Sequence, residues 1–93
     1  MADSSSTQWQ QTFLKWPASI PRRGILTTVL DEHIPFKGFM TTDKMLLLER
    51  QNPDSLGARF IVLEYASVSA LKYIDPLKAE SFQELGFVGK LSQ

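Results

Sequence analysis

His33 is the only histidine of this chain, and it sits in the acidic run Asp31-Glu32-His33. Three ligand-type residues in a row suggest a cation site. Consecutive side chains on one turn diverge, however, and no second histidine completes a zinc set. A serine nucleophile would have only His33 as its conventional base, and neither a Gly-x-Ser-x-Gly elbow nor a glycine-rich phosphate loop occurs. The carboxylate pairs Asp31/Glu32 and Glu80/Glu84 read as solvated faces, the second pair one helical turn apart. With no cysteine there is no disulfide framework, thiolate metal site or thiol chemistry. These residues predict a protein that is not an enzyme and carries no metal or cofactor.

Ten basic and ten acidic residues cancel to a formal charge of zero. Such a chain has no long-range field for gathering polyanions, and it lacks the self-repulsion that keeps molecules apart. The candidates for a local cationic patch are Arg22, Arg23, Lys37 and Lys44, with Tyr65 as an aromatic on which a base could stack. No stretch approaches the roughly 20 apolar residues of a membrane span. The polar start, residues 1–11, lacks the basic and apolar regions of a signal peptide. The expectation is a soluble, cytoplasmic protein.

The elements follow from hydrophobic pattern and punctuation. Residues 1–7 read as a frayed, serine-rich lead. Trp9, Phe13 and Trp16 recur at helical spacing, predicting a short helix over 7–16 that Pro17 ends and whose aromatic face needs something to cover. Five apolar stretches follow, at 24–30, 34–41, 45–50, 59–65 and 68–74. In the second, strict alternation would place Ile34, Phe36, Gly38 and Met40 on one face and Phe39 on the other. Gly38 marks a bend. The third and fourth are apolar on both faces, more than one small core can bury, so their outer surface asks for a helix or a second chain. Asp75-Pro76 reads as a helix start and Gly86 as its stop, predicting a C-terminal helix over 77–85. Many short strands in so few residues predict a strongly bent sheet closing on itself.

The segment 24–41, with its acidic turn and mid-strand Gly38, together with 43–49 and 57–75, resembles the Sm/LSm-like small barrels. The resemblance implies a mainly β fold: a five-stranded, strongly bent SH3-like or Sm-like barrel over 18–75. It is preceded by a tail and short helix over 1–17 and followed by a helical extension over 76–93. It also implies a homo-oligomeric ring in which strand four of one subunit pairs with strand five of the next. The interface would then comprise Arg59, Phe60, Ile61, Val62, Leu63, Val68, Leu71 and Tyr73. The family's RNA chemistry does not carry over. After Asp43 and Met45 stands Leu46 in place of the base-binding Asn, and Glu64-Tyr65 replaces the Arg/Lys-Gly motif. Leucine makes no amide hydrogen bond and glutamate repels phosphate. The reading is a non-catalytic Sm-like homo-oligomer for protein interaction or scaffolding. The alternative is a single-stranded RNA binder using Arg22, Arg23, Lys37, Lys44 and Tyr65.

Overall fold

The structure, a computed structural model, describes residues 4–92. Helix α1 runs over Ser4–Leu14, so most of the serine-rich lead is helical, and residues 1–3 lie outside the described residues. The helix ends before Trp16, because the residue preceding Pro17 is disfavoured in the α region. Trp16 instead folds back, its Nε1–H donating to the Ile20 carbonyl at 2.9 Å.

Five strands make one antiparallel sheet: β1 Gly24–Thr28, β2 His33–Thr41, β3 Met45–Arg50, β4 Phe60–Glu64 and β5 Val68–Lys72. Their spatial order is β4-β3-β2-β1-β5. The sheet is therefore open, with β4 and β5 as its two edges, where the strand count had suggested closure. It cannot be flat. Four inter-strand gaps would span roughly 19 Å, whereas the 3₁₀ turn Tyr65–Ser67 joining the two edge strands bridges only about 8 Å. The sheet must curl so that its edges approach at that corner, and α1 packs against the corner and β2.

The core fills the concave side. Phe13 and Trp16 reach it from the helical segment, Leu26, Ile34, Phe36 and Phe39 from β1 and β2, and Leu46 and Leu48 from β3. Phe13 stacks on Trp16 at 5.6 Å and meets Phe39 edge-on at 5.0 Å. Aromatic pairs in such geometries contribute about 0.5–1.5 kcal/mol beyond their buried area. The predicted cover for the aromatic helix face is thus the sheet itself.

One register detail departs from the alternation read in the sequence. Phe36 pairs with Arg50, but Gly38 pairs with Glu49, so Lys37 is an extra residue in β2. A bulge reverses the inside–outside sense downstream of it. Phe39 consequently joins Phe36 in the core, and Met40 turns outward, 70% exposed.

Three element ends also differ. The first strand stops at Thr28, whose Oγ1 accepts from the backbone N–H groups of Leu30 and Glu32. Val29 and Leu30 leave the sheet in a turn closed by Asp31 at φ 67°. The last strand ends at Lys72 rather than 74. Helix α2 covers only Ala79–Gln83. Its N-cap is Lys78, not Asp75, and the Asp75 carboxylate instead accepts from Arg23. Gly86 does end the helical segment, at φ 97° with its N–H on the Gln83 carbonyl.

Candidate functional site

The residues predicted to form an interface divide between the two edges of the sheet. On β4, Phe60 and Val62 point to the convex side and are 59% and 56% exposed. Ile61 and Leu63 point to the concave side, where they pack against the core yet stay half-buried. Arg59 precedes the strand; its side chain is exposed and its carbonyl accepts from Arg50 N–H at 2.8 Å. On β5, Leu71 is half-buried on the concave side, and Tyr73 continues that side just beyond the strand. Val68, at the start of β5, has its side chain buried at the corner. Beyond each edge no further strand follows among the described residues.

The edges differ in what flanks them. Beside β5 lies an apolar groove of 270 Å³ walled by α1, by Leu71 and Tyr73, and by Phe87 of the C-terminal segment. A wider depression of 390 Å³ adjoins it, sharing Tyr73 and Phe87 and reaching Phe82 and Leu91. Phe82 meets Tyr73 edge-on at 5.2 Å and so anchors α2 there. Sequence reading assigned no role to this groove, because Trp9, Tyr73 and Phe87 are separated along the chain and only the folded sheet assembles them.

The predicted nucleic-acid contacts are scattered. The Arg22 Cζ sits over the Phe39 ring, 3.8 Å from its centroid, and Nη2 donates to the Phe39 carbonyl at 3.0 Å. Arg23 is committed to Asp75, its Nε donating to both carboxylate oxygens at 3.2 Å. That hydrogen bond, ahead of simple charge attraction, raises the Arg23 pKa; it also leads the effects that lower the Asp75 pKa. Lys37 shares with Arg22 a shallow groove of 350 Å³ that also holds Met40, Leu47, Glu49 and Phe60. Lys44 sits apart, in the β2–β3 turn, where its carbonyl accepts the Tyr65 N–H. Tyr65 is buried to 1% exposure, which removes its ring from any base. Its hydroxyl finds no hydrogen-bond partner among the described residues, and burial raises its pKa.

The acidic turn does not gather into a metal centre. His33 shares a hydrogen bond through Nδ1 with Thr27 Oγ1 at 3.0 Å, and Asp31 lies 3.8 Å from its other nitrogen. Among the described residues no group of three or more His, Asp or Glu side chains converges on a common point. No helix among them is long and apolar enough to cross a membrane.

These features define a mainly β domain of five antiparallel strands in one open sheet with two short helices. No protein-family model, curated protein or solved structure matches the chain.

Proposed function

We propose that the protein is a non-catalytic, Sm-like homo-oligomeric module for protein interaction or scaffolding, assembled through β4 and β5. One observation carries the reading. A single open sheet ends in two unpaired strands, and at both of them inward-facing apolar side chains are only half covered. Unpaired, half-covered edges invite uncontrolled association unless they are partnered. Pairing one edge with the other in a closed head-to-tail ring removes both at once. Strand order β4-β3-β2-β1-β5, the tight β4–β5 corner and the leading helix support the Sm-like reading. Zero net charge favours association and belongs to the same picture. So does a cytoplasmic setting for a chain without cysteine.

RNA binding has less behind it. Of its five expected contacts only Arg22 and Lys37 meet, in a groove that also holds Glu49, while Arg23 is paired and Tyr65 buried.

Light scattering at micromolar concentration tests the proposal. The expected outcome is a discrete oligomer with a mass several times the 10.5 kDa of the chain. A stable monomer at that concentration sinks it.

A further inference from the structure

Resting on the oligomer reading above, the geometry points to one register for the junction. We infer that Ile61 and Leu63 of one copy seat in the groove beside β5 of a second copy, opposite Tyr73 and Leu71 respectively. The groove that receives them is walled on its far side by Trp9 of α1.

Side chains alternate across a strand, and residues directly opposite in a ladder share a face. Ile61 and Leu63 lie on the concave face of β4, and Leu71 with Tyr73 on that of the β5 edge. All four are half-buried. Every ladder in the sheet is antiparallel, and the second copy is placed in the same sense. Only registers shifted by two residues keep the faces matched. The one chosen opposes Leu63 to Leu71 and Ile61 to Tyr73, so both apolar pairs close together. Shifted by two, Leu63 would meet Tyr73, but Ile61 would face the Asp75 carboxylate, which Arg23 already holds.

Charge on the convex face agrees. In the chosen register Val62 lies opposite Lys72, and Glu64 lies diagonal to Lys72, within reach of long side chains. Glu64 and Lys72 are both exposed, and no ion pair is formed by either among the described residues. Phe60 comes beside Ile74, covering two exposed apolar residues with each other. The groove contributes a matching apolar surface, with Gln8 and Thr12 at its rim.

The absence of native cysteine makes the register directly readable. Val62→Cys and Lys72→Cys chains are co-refolded, oxidised mildly and run on a non-reducing gel. Directly opposed Cβ atoms lie about 4.5–5.5 Å apart and diagonal ones about 7–8 Å, and a disulfide needs the shorter separation. The mixture should give a covalent dimer that is lost when Ile74→Cys replaces Lys72→Cys. A dimer from Val62→Cys alone, or one favouring Ile74→Cys, overturns the register while leaving an oligomer intact. A monomer by light scattering with no cross-link from any pair overturns the oligomer reading itself. Trp9→Ala provides the second readout. It should shift the particle toward monomer with far-ultraviolet helix and strand signals retained; unchanged assembly would show that the groove does not receive Ile61.

Discussion

The two faces of the sheet are built from the same kinds of residue and live in different environments. In β3, Leu46 and Leu48 are fully buried, while their neighbours Met45 and Leu47 stay partly open to solvent. In β2, Phe36 is fully buried and Met40 mostly exposed. Composition does not separate them. What does is the side on which α1 and the following Trp16 and Ile20 pack: Phe13, Trp16 and Ile20 all join the concave core. An apolar run is thus a request for cover on both sides, and this chain supplies one. In the convex row Met40–Leu47–Val62, aligned across β2, β3 and β4 by the ladder, Met40 and Val62 stay mostly exposed and Leu47 half-buried among the described residues.

The sharpest way to break the contrast is to truncate one residue on each face of the same strand. Phe36→Ala should cost about 3–5 kcal/mol in urea denaturation, through lost transfer energy and a cavity in a ring-packed core. Met40→Ala should stay within about 0.5 kcal/mol. Comparable losses would mean that the convex face is covered in the free protomer.

Next in size is a pair of strand glycines. A Cβ at Gly24 would stand 2.5 Å from the Lys72 carbonyl oxygen, a backbone atom fixed in the β1–β5 ladder. A Cβ at Gly38 would meet Glu49 Oε1 at 2.7 Å, the end of a side chain that can swing away. Gly24→Ala should therefore destabilise by about 1–3 kcal/mol, and Gly38→Ala by about 0.5 kcal/mol or less. Equal melting temperatures for the two variants would contradict the distinction. Gly38, conspicuous in the sequence, serves the bulge; Gly24 is the position where backbone approach forbids a side chain.

The smallest effect is electrostatic and involves Asp75, just past β5, and Asp54, in the β3–β4 loop. Hydrogen bonding to Arg23 holds the Asp75 carboxyl below its ordinary pKa, and the backbone N–H groups of Ala58 and Leu56 do the same for Asp54. A lowered folded-state pKa contributes stability that is present above the unfolded value, about 3.9, and lost as pH falls through the folded one. Thermal stability should hold from neutrality to about pH 4 and decline below it. Asp75→Asn should lower the plateau slightly and flatten that decline; an acid limb unchanged in both Asp75→Asn and Asp54→Asn would remove the attribution.

Much of the fold was legible because it rests on local rules. All five strands begin within one residue of where apolar runs emerge from turn residues, and Pro17 and Gly86 end their helical segments for steric reasons that need no tertiary context. Face assignment in β2 was not legible. Alternation was the right rule, but the inserted Lys37 inverts it, and a bulge leaves no trace beyond a glycine. The candidate site was half legible. Its β4 residues announce themselves as an apolar strand, whereas the Trp9–Tyr73–Phe87 groove joins three distant segments. Arg22 and Arg23 looked alike as neighbours, and only folding gave one to the Phe39 ring and the other to Asp75.

By itself the sequence determined the order of the elements and where each strand begins, that no cysteine chemistry is available, and that the chain carries more apolar surface than one small core buries. Each of these depends on residue type, local sterics or simple counting. Tertiary structure decided which apolar residues are inside, that the sheet stays open at β4 and β5, and that a groove flanks β5. Those depend on long-range register and on where a single helix can reach, quantities set only when distant segments pack together.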